Sequence, residues 1–455
     1  MLLFILINTT LLFDLPLNQA LDYLQIRGFV DIKAIKPFEF NDIIVEIDTL
    51  FFYEEKLNKI DKKFISLFGP YLKKSADFYT IFSISGENKN LRDFYGDFDL
   101  NLSGSISDNI SFSQGVRFHT GSEIDSTRPR PWKDIVQAYL NEGLLKINSK
   151  NATLIIGRRN LFLGCGDEHS LFISPTKEGY DGFLFLYNGK YYNFYSTFSV
   201  LDAENLRFIS THRIGLNLNN FKLGFSEAIL WANELEPLYL NFLLPYYLSQ
   251  WGISRDDNIM WCIDASAYFS NTLLFGEFLI DDYQFSEPPP GYTEYPHKIA
   301  FQCGLKKILF EKFYTRFNYT FVDKWVYTHH ISANIYENKN ISLGFPLGND
   351  VDNLSLRMKY LNNTGIIPTL KLDYTRKGEG SIWLPYEVER GPAYPEFPSG
   401  IVENKFVLLP GIEIYLKPGF YLSIAGGKTF YKNFEHHSGY NKQDNFFNTR
   451  FWILF

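Results

Sequence analysis

The sequence predicts an all-β chain: a transmembrane outer-membrane β-barrel of about eighteen antiparallel strands behind a small N-terminal helical segment. Three observations carry that expectation. From about Tyr79 onward, polarity alternates with period two, as in Tyr192, Phe194, Phe198 and Val200 against Tyr191, Asn193, Tyr195, Thr197 and Ser199. Short polar turns alternate with long connectors along the whole of that region. The chain also stops on NTRFWILF (448–455), whose alternate apolar residues end on Phe455.

The short turns fall at 107–109, 148–151, 188–189, 219–220, 270–271, 311–312, 362–364 and 417–419. Most carry Asn or Gly, which tolerate the positive φ of tight hairpins. The long connectors are 120–134, 162–179, 201–210, 233–257, 284–296, 326–349, 378–401 and 433–444. An even strand number places both chain ends and all short turns on the periplasmic side, with the long loops outside. Eighteen strands of ~10 residues use about 180 residues, leaving the rest for loops and the N-terminal piece. A soluble all-β sandwich gives no such one-sided asymmetry. NTRFWILF then reads as the closing strand, and its terminal Phe455 with alternate apolar residues resembles the outer-membrane assembly signal, which implies the barrel-assembly machinery as a partner.

The 455 residues are 18% aromatic with a mean hydropathy of −0.15, which suits alternating strands better than a solid apolar core. Beyond the N-terminus no stretch approaches the ~18 apolar residues of a membrane helix. A net charge of −7 without a basic run argues against nucleic acid as a partner. Cys165, Cys262 and Cys303 are widely separated, odd in number and without CxxC or Cys/His spacing, so neither a disulfide framework nor a zinc site is indicated, and no metal or cofactor is expected.

The apolar block Leu2–Phe13 followed by Ala20 predicts a signal peptide over 1–20, cut before Leu21, and export to the outer membrane. Residues 21–77 form the N-terminal segment. Asn41 is a candidate N-cap for a helix through Asp48, and Leu57, Ile60, Phe64 and Leu67 fall at helical spacing before Gly69-Pro70. The barrel occupies 78–455.

Four stretches resemble the capsule-assembly outer-membrane family (Wzi type): GRRNLFLGCGDEHSLFIS (157–174), HRIGLNLNNFKLGFSEAIL (212–230), DASAYFSNTLLFGEFLIDD (264–282) and FPLGNDVDNLSLRMKYL (345–361). Cys165 is a departure within the Gly-rich block. The resemblance implies an eighteen-stranded barrel with a periplasmic-side helical piece. It also implies a lectin-like activity that binds, anchors or organises capsular or other surface polysaccharide without catalysis.

Four charged residues fall on consecutive strands: Arg213, Glu227, Asp264 and Glu277. Arg213 and Asp264 alternate with outward apolar residues and so point to the lumen. Glu227 interrupts the row Phe221, Leu223, Phe225, Ile229, and Glu277 follows Leu273 and Phe275. A carboxylate facing lipid is costly, so a bulge or an interfacial position is expected at Glu227. Adjacent strands would gather all four into one lumenal network, with Arg316, Arg357, Lys359 and Asp373 also inward. Such charges either pair to fill a polar lumen or meet a ligand.

For saccharide, the loops offer aromatic faces and carboxylates: Tyr246, Tyr247, Trp251, Asp256 and Asp257 in one, Trp383, Tyr386 and Glu387 in another. Packing of loop on loop is the plain alternative. Pro288-Pro289-Pro290 stiffens its own loop. His169-Ser170 and His329-His330 are the spots that suggest catalysis, but sequence neighbours on an extended segment face apart. No enzyme is expected; the alternative to a polysaccharide-binding barrel is a diffusive or substrate-selective porin, with outer-membrane lipid a partner in either case.

Overall fold

The structure, a computed structural model, describes residues 16–30, 47, 50, 57–68, 78–88, 94–120, 136–176, 179–282, 294–387, 392–417 and 420–454. The expected helix from Asn41 to Asp48 (Ile47 apart), the triple proline and Phe455 lie outside them. The alternating segments form eighteen long strands in chain order: β1 Phe78–Asn88, β2 Phe94–Ser107, β3 Ile110–Thr120, β4 Val136–Asn148, β5 Ala152–Arg159 and β6 Tyr180–Asn188. There follow β7 Tyr192–Asp202, β8 Arg207–Leu218, β9 Phe221–Trp231, β10 Asn258–Phe269, β11 Thr272–Asp282 and β12 Lys298–Leu309. The last six are β13 Phe313–Val322, β14 Val351–Tyr360, β15 Ile366–Lys377, β16 Glu403–Lys417, β17 Phe420–Lys432 and β18 Lys442–Leu454.

Each strand pairs antiparallel with its sequence neighbours, and β1 closes the ring by pairing with both β2 (Phe78↔Gly104) and β18 (Ile81↔Leu454). Closure leaves no exposed strand edge, the condition for a sheet in lipid. The outer wall is apolar: Ile214, Leu216, Leu218, Phe221, Leu223, Phe225, Ile263, Phe301, Phe317 and Leu354 are exposed. The tight turns take positive φ at Asn219 and Asn271, as their composition predicts, and also at Ser270 and Glu311.

One connector is shorter than expected. Between β7 and β8 residues 203–206 make a four-residue turn, in which the Asp202 carboxylate accepts from the Glu204 and Asn205 amides.

The N-terminal piece packs at the short-turn end. Helix α1 spans Pro16–Ile26 and so runs through the Ala20–Leu21 junction where cleavage was expected; helix α2 spans Lys59–Ser66. α2 starts at Asn58, whose side chain accepts from the Ile60 and Asp61 amides while Asp61 accepts from the Asn58 amide. Asp61 also takes the Tyr23 hydroxyl (2.6 Å) and the Arg27 guanidinium (3.2 Å), tying α2 to α1. Tyr23, Leu24, Phe64 and Phe68 bury against Leu273, Phe275, Ile308, Ile367 and Tyr415 of the inner wall. The apolar row of β11 therefore faces the lumen, where it meets an apolar plug, and not lipid.

Candidate functional site in the lumen

The loop between β5 and β6 enters the barrel and is fastened there by Glu277. The Glu277 carboxylate, on the lumenal face of β11, accepts from the Gly166 and Leu171 amides, each at 2.7 Å. Gly164 has φ +143°, and a Cβ there would lie 2.2 Å from Glu277 Oε1, so both conformation and space call for glycine. Ser170 donates to the Leu163 carbonyl (2.6 Å) and accepts from the Phe172 amide (3.0 Å). Cys165, a half-buried free thiol, donates to the Gly276 carbonyl at 3.0 Å. Desolvation and the nearby Glu277 and Asp264 push that thiol well above its ordinary range.

A second loop, 323–350, packs on the first. The Tyr327 hydroxyl donates to Leu171 O (2.7 Å), Tyr336 to Phe172 O (2.9 Å), and Leu343 O accepts from the Ser174 amide (2.7 Å). Leu163, Leu171, Phe172, Ile173, Tyr336 and Leu343 form a core with the wall residues Ile155, Leu230, Met260 and Leu279. A substantial part of the lumen is thus filled by protein.

The charges expected in one network divide into two places. Arg213 grips Asp264 with two bonds (2.9 and 2.8 Å) and donates to Asn193 (3.0 Å), all buried in the lumen. Gly224 makes room: a Cβ there would sit 2.1 Å from the guanidinium. Asp264 is the cross-strand neighbour of Glu277. Glu227 is not part of this. The β8–β9 and β9–β10 ladders run without a shift through it, so the expected bulge is absent and the carboxylate points outward with His212 and Trp261. Residues 232–257 fold back over the outer wall to cover it. Glu227 accepts from the amides of Tyr246 (2.8 Å) and Tyr247 (3.0 Å), at the start of helix α3 (Tyr246–Ile253), and from Trp261 Nε1 (3.0 Å).

The inward cations serve a larger cluster centred on the inserted loop. Lys306 bonds Asp167 of the loop (2.6 Å) and Asp22 of α1 (2.7 Å), so the loop entering from the long-connector end and the helix entering from the short-turn end meet on one ammonium. Arg316 reaches Asp167 at 2.8 Å and Glu168 at 3.2 Å; Arg357 also binds Glu168. Burial raises the Glu168 pKa, but Arg357, Arg316 and Lys371 outweigh that and hold the carboxyl well below the usual range. Lys359 bonds Glu413 (2.8 Å) and Gln19 of α1 (2.7 Å), and Asp373 pairs with Lys371 at 2.9 Å.

Two cavities remain beside these elements. One of about 500 Å³ lies between α1, the inserted loop and the wall, lined by Asp22, Tyr23, Glu168, His169, Arg357, Lys359 and Tyr415. Another, about 540 Å³, follows β14–β18 from Tyr421 near the short-turn end to Tyr431 near the long-connector end, past Lys371, Lys405, Asp444 and Arg450. The two share Gln19, Glu168, Arg357 and Glu413. Cavities of several hundred Å³ with aromatic faces and convergent polar groups are of small-ligand size. Neither was legible in the sequence: their linings come from strands as far along the chain as Arg450, far beyond Glu168 of the loop that delimits them.

The loop residues do not gather into one site. Tyr246 is buried on the outer wall, its ring 4.5 Å from that of His212, and Tyr247 lies between Trp251 (4.7 Å) and Trp261 (5.1 Å). Asp257 is buried, accepting from Tyr239 (2.8 Å) and Arg255 (2.8 Å), while Asp256 sits 3.1 Å from His330. Tyr386 is buried against Trp325 and Tyr295, Glu387 is half-buried, and Trp251 and Trp383 are exposed.

A closed ring of eighteen antiparallel strands, apolar outside and polar within, is an outer-membrane β-barrel. No protein-family model matches the chain, and no curated protein matches it. Among solved structures it is similar to Wzi of Escherichia coli, described as an outer membrane protein involved in group 1 capsule assembly and a carbohydrate-binding β-barrel. That match has a TM-score of 0.65 and 14% identity over 99% of both chains. OprD of Pseudomonas aeruginosa aligns at TM-score 0.49 and 9% identity over 83% of this chain and 94% of that one. OccAB4 of Acinetobacter baumannii gives 0.47 and 11% over 84% and 98%. Wzi shares the fold end to end.

Proposed function

We propose that this barrel is a non-catalytic polysaccharide-binding protein that anchors or helps assemble capsular or other surface polysaccharide. The observation that carries this is the meeting of Asp167 and Asp22 on Lys306. It joins an outer loop to the periplasmic-side helix inside the lumen and leaves tyrosine- and charge-lined cavities beside the joint. Tyrosine rings stack on sugar C–H faces, and ionised groups held in place accept and donate to hydroxyls without reorganisation. The carbohydrate binding described for Wzi, which shares the fold, supports the same reading.

Titration of the purified protein with surface polysaccharide from its host, comparing native protein with Tyr431→Ala and Lys371→Ala, tests it. A loss of about tenfold in affinity, ~1.4 kcal/mol, is expected in each variant; unchanged binding contradicts the lumenal site.

A porin is the second reading, favoured by one feature: the cavity along β14–β18 runs most of the barrel's height. Single-channel conductance separates the two, since large steady openings belong to a porin. Export by a signal peptide and assembly through the C-terminal strand belong to the proposal as well. For α1 to keep the Gln19 bonds to Lys359 and Tyr415 (2.6 Å), the cut must fall before Gln19, which N-terminal sequencing of the outer-membrane form reads directly.

A further inference from the structure

The segment between β9 and β10 folds outside the barrel, and its polarity is inverted. In α3 the side chains turned to the protein are Tyr246, Ser249 and Gln250; those turned away are Leu248 and Trp251, 59% and 65% exposed. Ser249 donates to Pro245 O (3.0 Å) and Gln250 to Asp257 O (2.9 Å), so the polar face is spent inward. Just before the helix, Leu243 and Leu244 are 75% and 38% exposed. A surface helix in water shows the opposite arrangement.

The segment lies on the lipid-facing wall. The Phe242 ring packs 5.8 Å from both Phe185 and Phe194, outward residues of β6 and β7, and Tyr239 packs 5.0 Å from Trp231. Around it the wall continues as exposed Ile214, Leu216, Phe225 and Ile263.

Its backbone is self-contained to a degree that a loop in water does not need. The Leu238 amide donates to the Glu236 side chain, Tyr239 to Glu236 O, Asn241 to Leu238 O, Leu243 to the Asn241 side chain and Leu244 to Asn241 O. Pro245 has no N–H, and Tyr246 and Tyr247 donate to Glu227. Internal satisfaction of backbone donors is what hydrocarbon demands of any segment within it. Glu227 and His212 (3.0 Å apart) are in turn removed from lipid by the cover.

We infer that residues 235–253 form a flap embedded in the outer leaflet, its Leu243, Leu244, Leu248 and Trp251 side chains taking lipid acyl chains as their partner. The flap continues the barrel's apolar belt on the side where the long connectors lie, and gives Trp251 a lipid neighbour in place of the sugar expected from the sequence. This inference is independent of what the lumen binds.

The test uses the full chain with Cys303→Ser, which removes an exposed thiol, and a nitroxide label at Leu248→Cys in phospholipid vesicles. Glu204→Cys in the outer β7–β8 turn is the water-facing control. The expected result is relaxation of the Leu248 label several-fold more by oxygen than by a water-soluble nickel chelate, with the reverse at Glu204. Nickel access at Leu248 overturns the inference by placing the flap in water. Shielding from both reagents together with label–label broadening also overturns it, by placing a second copy there. Should Leu248→Cys fail to fold, as read by heat-modifiable migration, quenching by brominated phospholipid of native protein against Trp251→Phe decides: reduced quenching in the variant is expected, and equal quenching overturns the inference.

Discussion

At the scale of the residue, buried carboxylates hold the non-barrel parts in place. Asp61 accepts from Tyr23, Arg27 and the Asn58 amide together, so Asp61→Ala leaves a largely buried guanidinium without its anion. Removing one partner of a buried pair costs roughly 3–5 kcal/mol. The expected outcome is faster amide exchange throughout α1 and α2 with the barrel strands unchanged; unaltered exchange in α1 would refute the assigned role. His329 is governed by pH. Burial, Lys298 and His330 push its pKa down to about 4, so it is neutral at pH 7, its Nδ1 accepting from the Ile331 amide at 3.1 Å. The unfolded loop titrates near 6.5. Between these values only the unfolded form carries the proton, so stability of the 323–350 loop is fully present above about pH 6.5 and falls as pH drops toward 4. Amide exchange at pH 7 and pH 5 should show the loop loosening in native protein and a flatter dependence in His329→Asn.

Elements show how far the sequence could be read. Strands and tight turns were legible because side-chain alternation and positive-φ residues are local properties, and the lumenal direction of Arg213 and Asp264 followed from alternation alone. What the loops do was not. Glu277 interrupts a row that looks lipid-facing, and only the plug of α1 and α2 explains why Leu273 and Phe275 point inward. Glu227 carried a readable signal, a charge on an outward row, yet its satisfaction by the start of α3 needs partners about twenty residues away. Helix α1 was hidden because its apolar residues, read with the block before them, match an export signal equally well. The fastening of the inserted loop is testable. Glu277→Ala leaves the Gly166 and Leu171 amides unpaired, at about 1–3 kcal/mol for each buried donor. Protease cleavage within 163–173 should then appear in the folded barrel; continued resistance would mean that the loop's apolar core suffices alone.

On the scale of the whole molecule, closure of the sheet fixes the membrane as its environment and leaves the interior to be specialised. That interior is divided: one side filled by two loops and a helical plug joined through Lys306, the other kept as cavities with tyrosines and paired charges. Deleting 162–176 should open the filled side and raise single-channel conductance several-fold over native protein, whereas equal conductance would mean that current already passes along β14–β18. On the proposed reading, the filled side and the retained cavities serve to hold polymer. The most direct measurement is the ratio of cell-bound to released polysaccharide in the native host with and without the gene, at constant total synthesis. Deletion should shed polymer into the medium, and Tyr431→Ala should do so in part; a ratio that does not move would contradict the anchoring role and leave the porin reading in front.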